Sequence, residues 1–326
     1  MPQKNLFKKY KRKILISCAA GALVFLAFSI YADFDKLLVA FAEFNWWWYP
    51  VILALSFVNY IFRFFKWEYY RKLLKIEIKT SISFLIFLSA FVMSVTPGKM
   101  GEVLKSYLLK EENGTPISKS APIILAERLT DFISIVMLCI VGAYVFDYGQ
   151  TIIIIVGVVF IAFALMLSSK KLSLGFIGLL EKINFLSKHI HKFHTAYDSI
   201  YQLVKIKPLI IAILISIASW FFECLGFYIV LNVFSVTTGI EVSLLIATFI
   251  YGFSTLIGAI AFLPGGLGLT DASLTGLMQV LKIPANVSVA STIIIRTATL
   301  WFGVLVGIVA VSIYQKHSHR SLESLE

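Results

Sequence analysis

The chain has 326 residues, of which 59% are hydrophobic and 14% charged, and its mean hydropathy is +0.87. A soluble domain cannot bury that much apolar surface, whereas a chain that crosses a bilayer repeatedly does not have to, so a soluble enzyme is excluded. The net charge of +11 is clustered between apolar runs, which is the pattern of cytoplasmic loops rather than of a nucleic-acid groove.

Residues 1–13 carry Lys4, Lys8, Lys9, Lys11, Arg12 and Lys13, and the apolar run 14–31 follows. That run is too long for a signal peptide and has no small-residue cleavage site after it, so it is expected to be a first membrane helix with its amino end in the cytoplasm. Asp33, Asp35 and Glu43 against Lys36 alone suit an outer loop, and Trp46, Trp47 and Trp48 mark an interface as aromatic belts do. A second span is expected to reach about Phe65, with Arg63, Lys66, Arg71, Lys72, Lys75 and Lys79 drawing its far end to the cytoplasm.

The next apolar segment, 81–109, is interrupted by Pro97-Gly98-Lys99-Met100-Gly101-Glu102. Proline removes a backbone donor and the two glycines relax the helix around it. In hydrocarbon, freed backbone groups persist only where protein or a wet cavity covers them, so this break is a candidate site. A third span, 122–146, carries Glu127, Arg128 and Asp131 near its start, and a fourth is expected at 151–167. The stretch 169–207 is basic and amphipathic and should lie on the cytoplasmic surface. A fifth span covers 209–234 with Glu223 inside it; 242–263, 269–281 and 287–314 complete the apolar segments, and the basic tail 315–320 is expected in the cytoplasm.

Ala261-Phe262-Leu263-Pro264-Gly265-Gly266-Leu267-Gly268 repeats the P-G-x-x-G of the first break. Arg128 follows Pro97 by 31 residues and Arg296 follows Pro264 by 32, so the resemblance extends beyond one motif. With both ends cytoplasmic the number of full spans must be even. Six full spans satisfy this if 81–109 and 242–281 each enter and leave on one side, the first from the cytoplasm and the second from outside. If 242–263 spans outright, the following segment must cross back and the total stays even. The expected fold is therefore all-α and polytopic: about six spans and two broken or re-entrant hairpins in an inverted repeat, within one transmembrane domain, 1–326. Repeat one is placed at about 46–146 and repeat two at about 208–314, with 169–207 between them.

Glu127 and Asp131 lie one turn apart on one helix face and need a cation between them, for which Arg128 and Arg296 are both candidates. Intramembrane ionisable residues are costly and mostly functional, so a charge network or proton-coupling role is favoured over a purely structural one. Lys99 and Lys105 could meet a lipid phosphate, or could snorkel to the interface, and Glu102 is a partner for either lysine or for a cationic headgroup. The second tip, broken at Pro264, offers the amides of Gly265, Gly266 and Gly268 but no lysine, and Asp271 joins Glu127 and Asp131 as a candidate for the charge network or proton coupling; close helix packing is the competing and strong reading of such glycines. Headgroup binding is thus expected of Lys99, Glu102, Lys105, Arg128 and Arg296. His189, His191 and His194 read as surface residues, and Cys18, Cys139 and Cys224 as apolar packing, so no metal, cofactor or disulfide is expected.

P-G-K-M-G-E-V-L-K-S-Y-L-L, E-R-L-T-D-F and P-G-G-L-G-L-T-D-A-S-L, in that order, resemble the lysylphosphatidylglycerol synthetase transmembrane family over roughly residues 10 to 315. In full-length members an integral module moves the modified lipid between leaflets and a soluble domain performs aminoacyl transfer. No stretch here is expected to fold as that transferase domain, so the resemblance implies the flippase-like module of an inner cell membrane. The expected function is lipid translocation, with a phospholipid or glycolipid as the ligand and no catalytic residues. The alternatives are a membrane component of lipid modification, such as phosphatidylglycerol lysyltransferase or glycosyl-lipid synthesis, and an accessory subunit docking a separately encoded transferase; an oligomer is compatible with each.

Overall fold

The computed structural model describes residues 21–96 apart from Ala22, 102–146, 149–170 and 190–323. Cys18, Pro97, Gly98, Lys99, Gly101, most of the basic connection and His189 therefore lie outside the described residues. Among the described residues every regular element is helical. After a helical stretch at 23–31 come α1 (Phe34–Glu43), a tight turn Trp46–Trp48, and α2 (Tyr49–Leu73). The Asn45 side chain accepts the Trp47 N–H at 3.2 Å, and Pro50 falls in the first turn of α2, where no helical donor is lost. Next are α3 (Thr80–Ser89), extended by a turn at Ala90–Met93, and α4 (Leu104–Asn113), which ends at Gly114 in the left-handed region. α5 (Ile117–Phe146), α6 (Gln150–Ser168), α7 (Ile190–Leu203) and α8 (Ile206–Thr238) follow. α9 (Leu244–Ile260) begins with Ser243 capping the Ile246 N–H, and the turn Pro264–Gly266 leads to α10 (Leu269–Val280). α11 (Ala285–Arg296) passes through a widened turn, Thr297–Trp301, into α12 (Phe302–Glu323).

Among the described residues four helical stretches are long and apolar enough to cross a membrane: Trp46–Leu73, Gln150–Ser168, Ile206–Thr238 and Ala285–Lys316. α5 is 30 residues long, and its first half carries the charged groups. The 17 residues of α9 rise about 25 Å, short of a hydrocarbon core of about 30 Å. Thr80–Met93 is shorter still, so both helices that precede a P-G-x-x-G end before a full crossing. The fold is an all-α polytopic membrane protein.

One boundary differs from the sequence reading. The second span does not stop near Phe65, because α2 continues to Leu73 with Lys66, Glu68 and Arg71 buried. Glu68 takes the Arg71 guanidinium at 2.7 Å and the Trp67 indole N–H goes to Ser83, so these charges are satisfied within the protein instead of reaching water.

Two apolar clusters form the core. Along α2 the boundary between them falls between Ile52 and Tyr60, along α5 between Ile133 and Ile135, and along α8 between Ala212 and Trp220. The three helices cross this seam together, α8 packing most extensively on α2. Polar side chains occupy it.

Candidate functional site

On α2 the buried polar residues Ser56, Asn59, Lys66 and the half-buried Arg63 recur at three- and four-residue steps, which places them on one helix face. α8 answers with Ser216, Ser219 and Glu223, and α5 with Glu127, Asp131 and Ser134. Asn59 donates to the Ser219 carbonyl and hydroxyl, both at 2.8 Å, while the Ser134 hydroxyl donates to the Ile213 carbonyl at 3.1 Å. Lys66 is wholly buried and joins all three helices: its ammonium lies 2.5 Å from Asp131 and donates to Ser216 Oγ at 2.6 Å.

The network continues outward from Asp131. The Arg128 guanidinium lies 3.4 Å from Asp131 and 3.0 Å from Glu102, the residue that follows the first break. Glu102 also has Arg63 at 3.6 Å. Lys105 is 2% exposed, pairs with Glu127 at 2.5 Å, and places its ammonium 4.7 Å from the centre of the Trp67 ring. Charges this deep hold only when opposed, and here each has an opposite within 4 Å.

The second break is organised by one acid and one base. Asp271, fully buried near the start of α10, accepts the Gly268 N–H at 2.8 Å through Oδ2 and faces Arg296 Nε at 2.8 Å through Oδ1. The same guanidinium donates from Nη2 to the Gly265 carbonyl at 2.6 Å. Gly265 and Gly268 have φ of 60° and 83°, values that a β-carbon opposes, and Gly265 also lies against Leu300 and the Val95 backbone, just before Pro97. The two broken segments therefore approach each other. Glu102 with Arg128 and Asp271 with Arg296 recur as pairs, an acid just after each P-G-x-x-G and an arginine on the helix that follows.

Beside this network is a cavity of about 600 Å³. Arg63, Arg128, Asp131, Glu223 and Arg296 are among its lining residues, together with Phe132, Ile135, Val156, Val159 and Phe160 of α5 and α6. Glu223 accepts the Tyr251 hydroxyl at 2.7 Å at the cavity wall. The volume is that of a small-molecule pocket, and the mixed lining suits a molecule with both charged and apolar parts.

The described residues singled out from sequence thus fall into three groups. Arg128, Asp131, Arg296, Gly265 and Gly266 line the cavity. Glu102, Asp271, Pro264 and Gly268 stand behind it, holding arginines or shaping the tip. Lys105 and Glu127 neutralise each other and do not line it. The cations beside Glu127 and Asp131 are Lys105 and Lys66 together with Arg128; Arg296 faces Asp271 instead. Sequence reading took Arg63 and Lys66 for cytoplasmic charges and did not single out Trp220 or Tyr251. The signal for the first two was present, in the helical spacing of Asn59, Arg63 and Lys66. Cys139 and Cys224 are buried, and His194 lies on α7.

The family model described as the lysylphosphatidylglycerol synthase TM region matches residues 13–307. A UPF0104 membrane protein of Methanothermobacter thermautotrophicus is 25% identical over 350 aligned positions, covering 96% of this chain and 96% of the relative. A UPF0104 membrane protein of Methanocaldococcus jannaschii is 26% identical over 232 positions, covering 70% of this chain and 95% of the relative. With the match spanning both broken segments and the charged stretch of α5, the chain belongs to the family of the lysylphosphatidylglycerol synthase transmembrane region.

Proposed function

We propose that this protein is a lipid translocase that carries a polar headgroup between leaflets while the acyl chains remain in an apolar environment. The observation that carries this reading is the mixed lining of the cavity, which combines charged groups of α2, α5, α8 and α11 with apolar residues of α5 and α6. Sites at the meeting of two broken helices are the common arrangement of transporters built from inverted repeats, and the recurrence of an acid–arginine pair after each P-G-x-x-G supports such a repeat here. In this reading the halves 46–146 and 208–314 are inverted, both termini face the cytoplasm, and the protein resides in the inner cell membrane. Lys99 of the first tip meets the headgroup early and Arg128 holds it in the cavity.

Glu127 and Asp131 act as a fixed charge network instead of proton carriers, because each is opposed by a buried lysine that would be orphaned by its protonation. In vesicles reconstituted with the protein, labelled phospholipid should exchange between leaflets, and Arg128→Gln should slow the exchange by roughly tenfold or more, the equivalent of one charge-assisted contact. Exchange at the rate of protein-free vesicles would sink the proposal.

A further inference from the structure

Among the charged groups of the core, Arg63 and Arg128 share Glu102, so either could leave without stripping it of a cation, and Arg128 has the more exposed side chain, 19% against 13%. If Arg128 left, Asp131 would keep the Lys66 ammonium at 2.5 Å and the Ser216 hydroxyl at 3.1 Å, and Glu102 would keep Arg63 at 3.6 Å. No carboxylate would be orphaned. Arg296 is the opposite case: it is the cation facing the fully buried Asp271, and it also holds the Gly265 carbonyl. Lys105 is likewise tied to Glu127. Arg128 has the most exposed side chain of these cations, 19% against 9% for Arg296 and 3% for Lys105, and it lines the cavity. Its Nε has no hydrogen-bond partner among the described residues.

A second donor faces the same cavity. Trp220 is 5% exposed, and its indole Nε1 has no partner among the described residues. It sits one helical turn beyond Ser216, the residue that touches Asp131. An indole N–H and a guanidinium are donors only, so what completes them must be an acceptor, and the guanidinium fork favours an oxyanion.

We infer that Arg128 is an exchangeable cation that leaves Glu102 to bind a phosphate-ester oxyanion in the cavity, with Trp220 as the accompanying neutral donor. The inference rests on the reading of the cavity as a headgroup site. Phosphate suits the arrangement because its tetrahedral oxygens can accept from the two donors on different faces at once, whereas a carboxylate presents its two oxygens in one plane. Glu102 is then an internal competitor. When the ligand arrives, the Arg128–Glu102 pair is broken, so occupancy of the cavity loosens the tie between α5 and the start of α4, next to the first break.

Calorimetric titration of the full-length protein in detergent with short-chain phosphatidylglycerol tests this. Short-chain diacylglycerol serves as the neutral control and inorganic phosphate as competitor. Arg128→Gln should weaken binding of the anionic lipid by about tenfold or more. Glu102→Gln should tighten it severalfold, and Trp220→Phe should weaken it severalfold. The Glu102→Gln result is decisive even if Arg128→Gln fails to fold, because loss of a merely structural ion pair would not raise affinity. Competition by inorganic phosphate supports the site and assigns it to free phosphate; displacement by the lipid alone supports it and assigns it to a headgroup. Equal binding of the anionic and neutral lipids, or no gain in Glu102→Gln, overturns it. Arg128-dependent binding without leaflet exchange would instead remove the translocase and leave the site standing.

Discussion

Asp131→Leu should destabilise the protein by about 3–5 kcal/mol, among the largest effects available to a single substitution here. Lys66 is wholly buried, and Asp131 is the carboxylate it faces, at 2.5 Å. Removing the acid leaves an ammonium buried among three helices with, among the described residues, only Ser216, Thr130 and the Glu127 carbonyl to solvate it. Lys66→Met in the same chain should restore most of the loss, because replacing both partners with apolar groups removes the uncompensated charge. The check is a double-mutant cycle by chemical unfolding in micelles. Additive losses from the two substitutions would mean that the pair does not interact as the geometry indicates.

Arg296→Gln should have a comparable cost and a localised consequence. Asp271 would lose its facing cation and the Gly265 carbonyl would lose its donor, so the second tip would keep the Gly268 N–H on Asp271 and its local backbone hydrogen bonds but lose its tie to α11 through Arg296. A cost of about 3–5 kcal/mol follows from the uncompensated buried acid. Amide hydrogen exchange should rise first in 264–270, by about tenfold or more, with α2 and α8 little affected at the same temperature. Asp271→Asn added to Arg296→Gln should be milder than Arg296→Gln alone, since the acid left behind is then neutral and its amide oxygen can still accept the Gly268 N–H. Uniform loss of protection throughout the chain would show that the clasp is not local to the tip.

The second break was legible because proline and glycine signal backbone geometry directly, so the sequence alone placed Pro264, Gly265 and Gly268 at an interruption between helices. Glu127, Arg128 and Asp131 were legible as a group because charge within an apolar run is costly and therefore conspicuous. What could not be read was the pairing. Glu102 and Arg128 meet only when α4 and α5 are folded side by side, and Asp271 finds Arg296 in the same way. Lys66 was misplaced for a definite physical reason. It lies at the end of the hydrophobic run among other basic residues, where snorkelling to water is the usual outcome, and only the packing of α5 and α8 against α2 makes burial preferable. Its register with Asn59 and Arg63 carried the correct answer, but a charge count ignores register. Trp220 and Tyr251 were not legible in a chain rich in aromatics, since their roles come from facing a cavity that no single segment encloses.

If lipid headgroups pass through the cavity between the broken segments, obstructing that cavity should stop them. In a background with Cys18, Cys139 and Cys224 replaced, Thr255→Cys places a thiol on the cavity wall and Val309→Cys places one on an outward, lipid-facing surface. Alkylating Thr255→Cys with a bulky reagent should abolish leaflet exchange in reconstituted vesicles, whereas alkylating Val309→Cys to the same extent should leave it intact. Undiminished exchange by fully alkylated Thr255→Cys protein would contradict passage through the cavity.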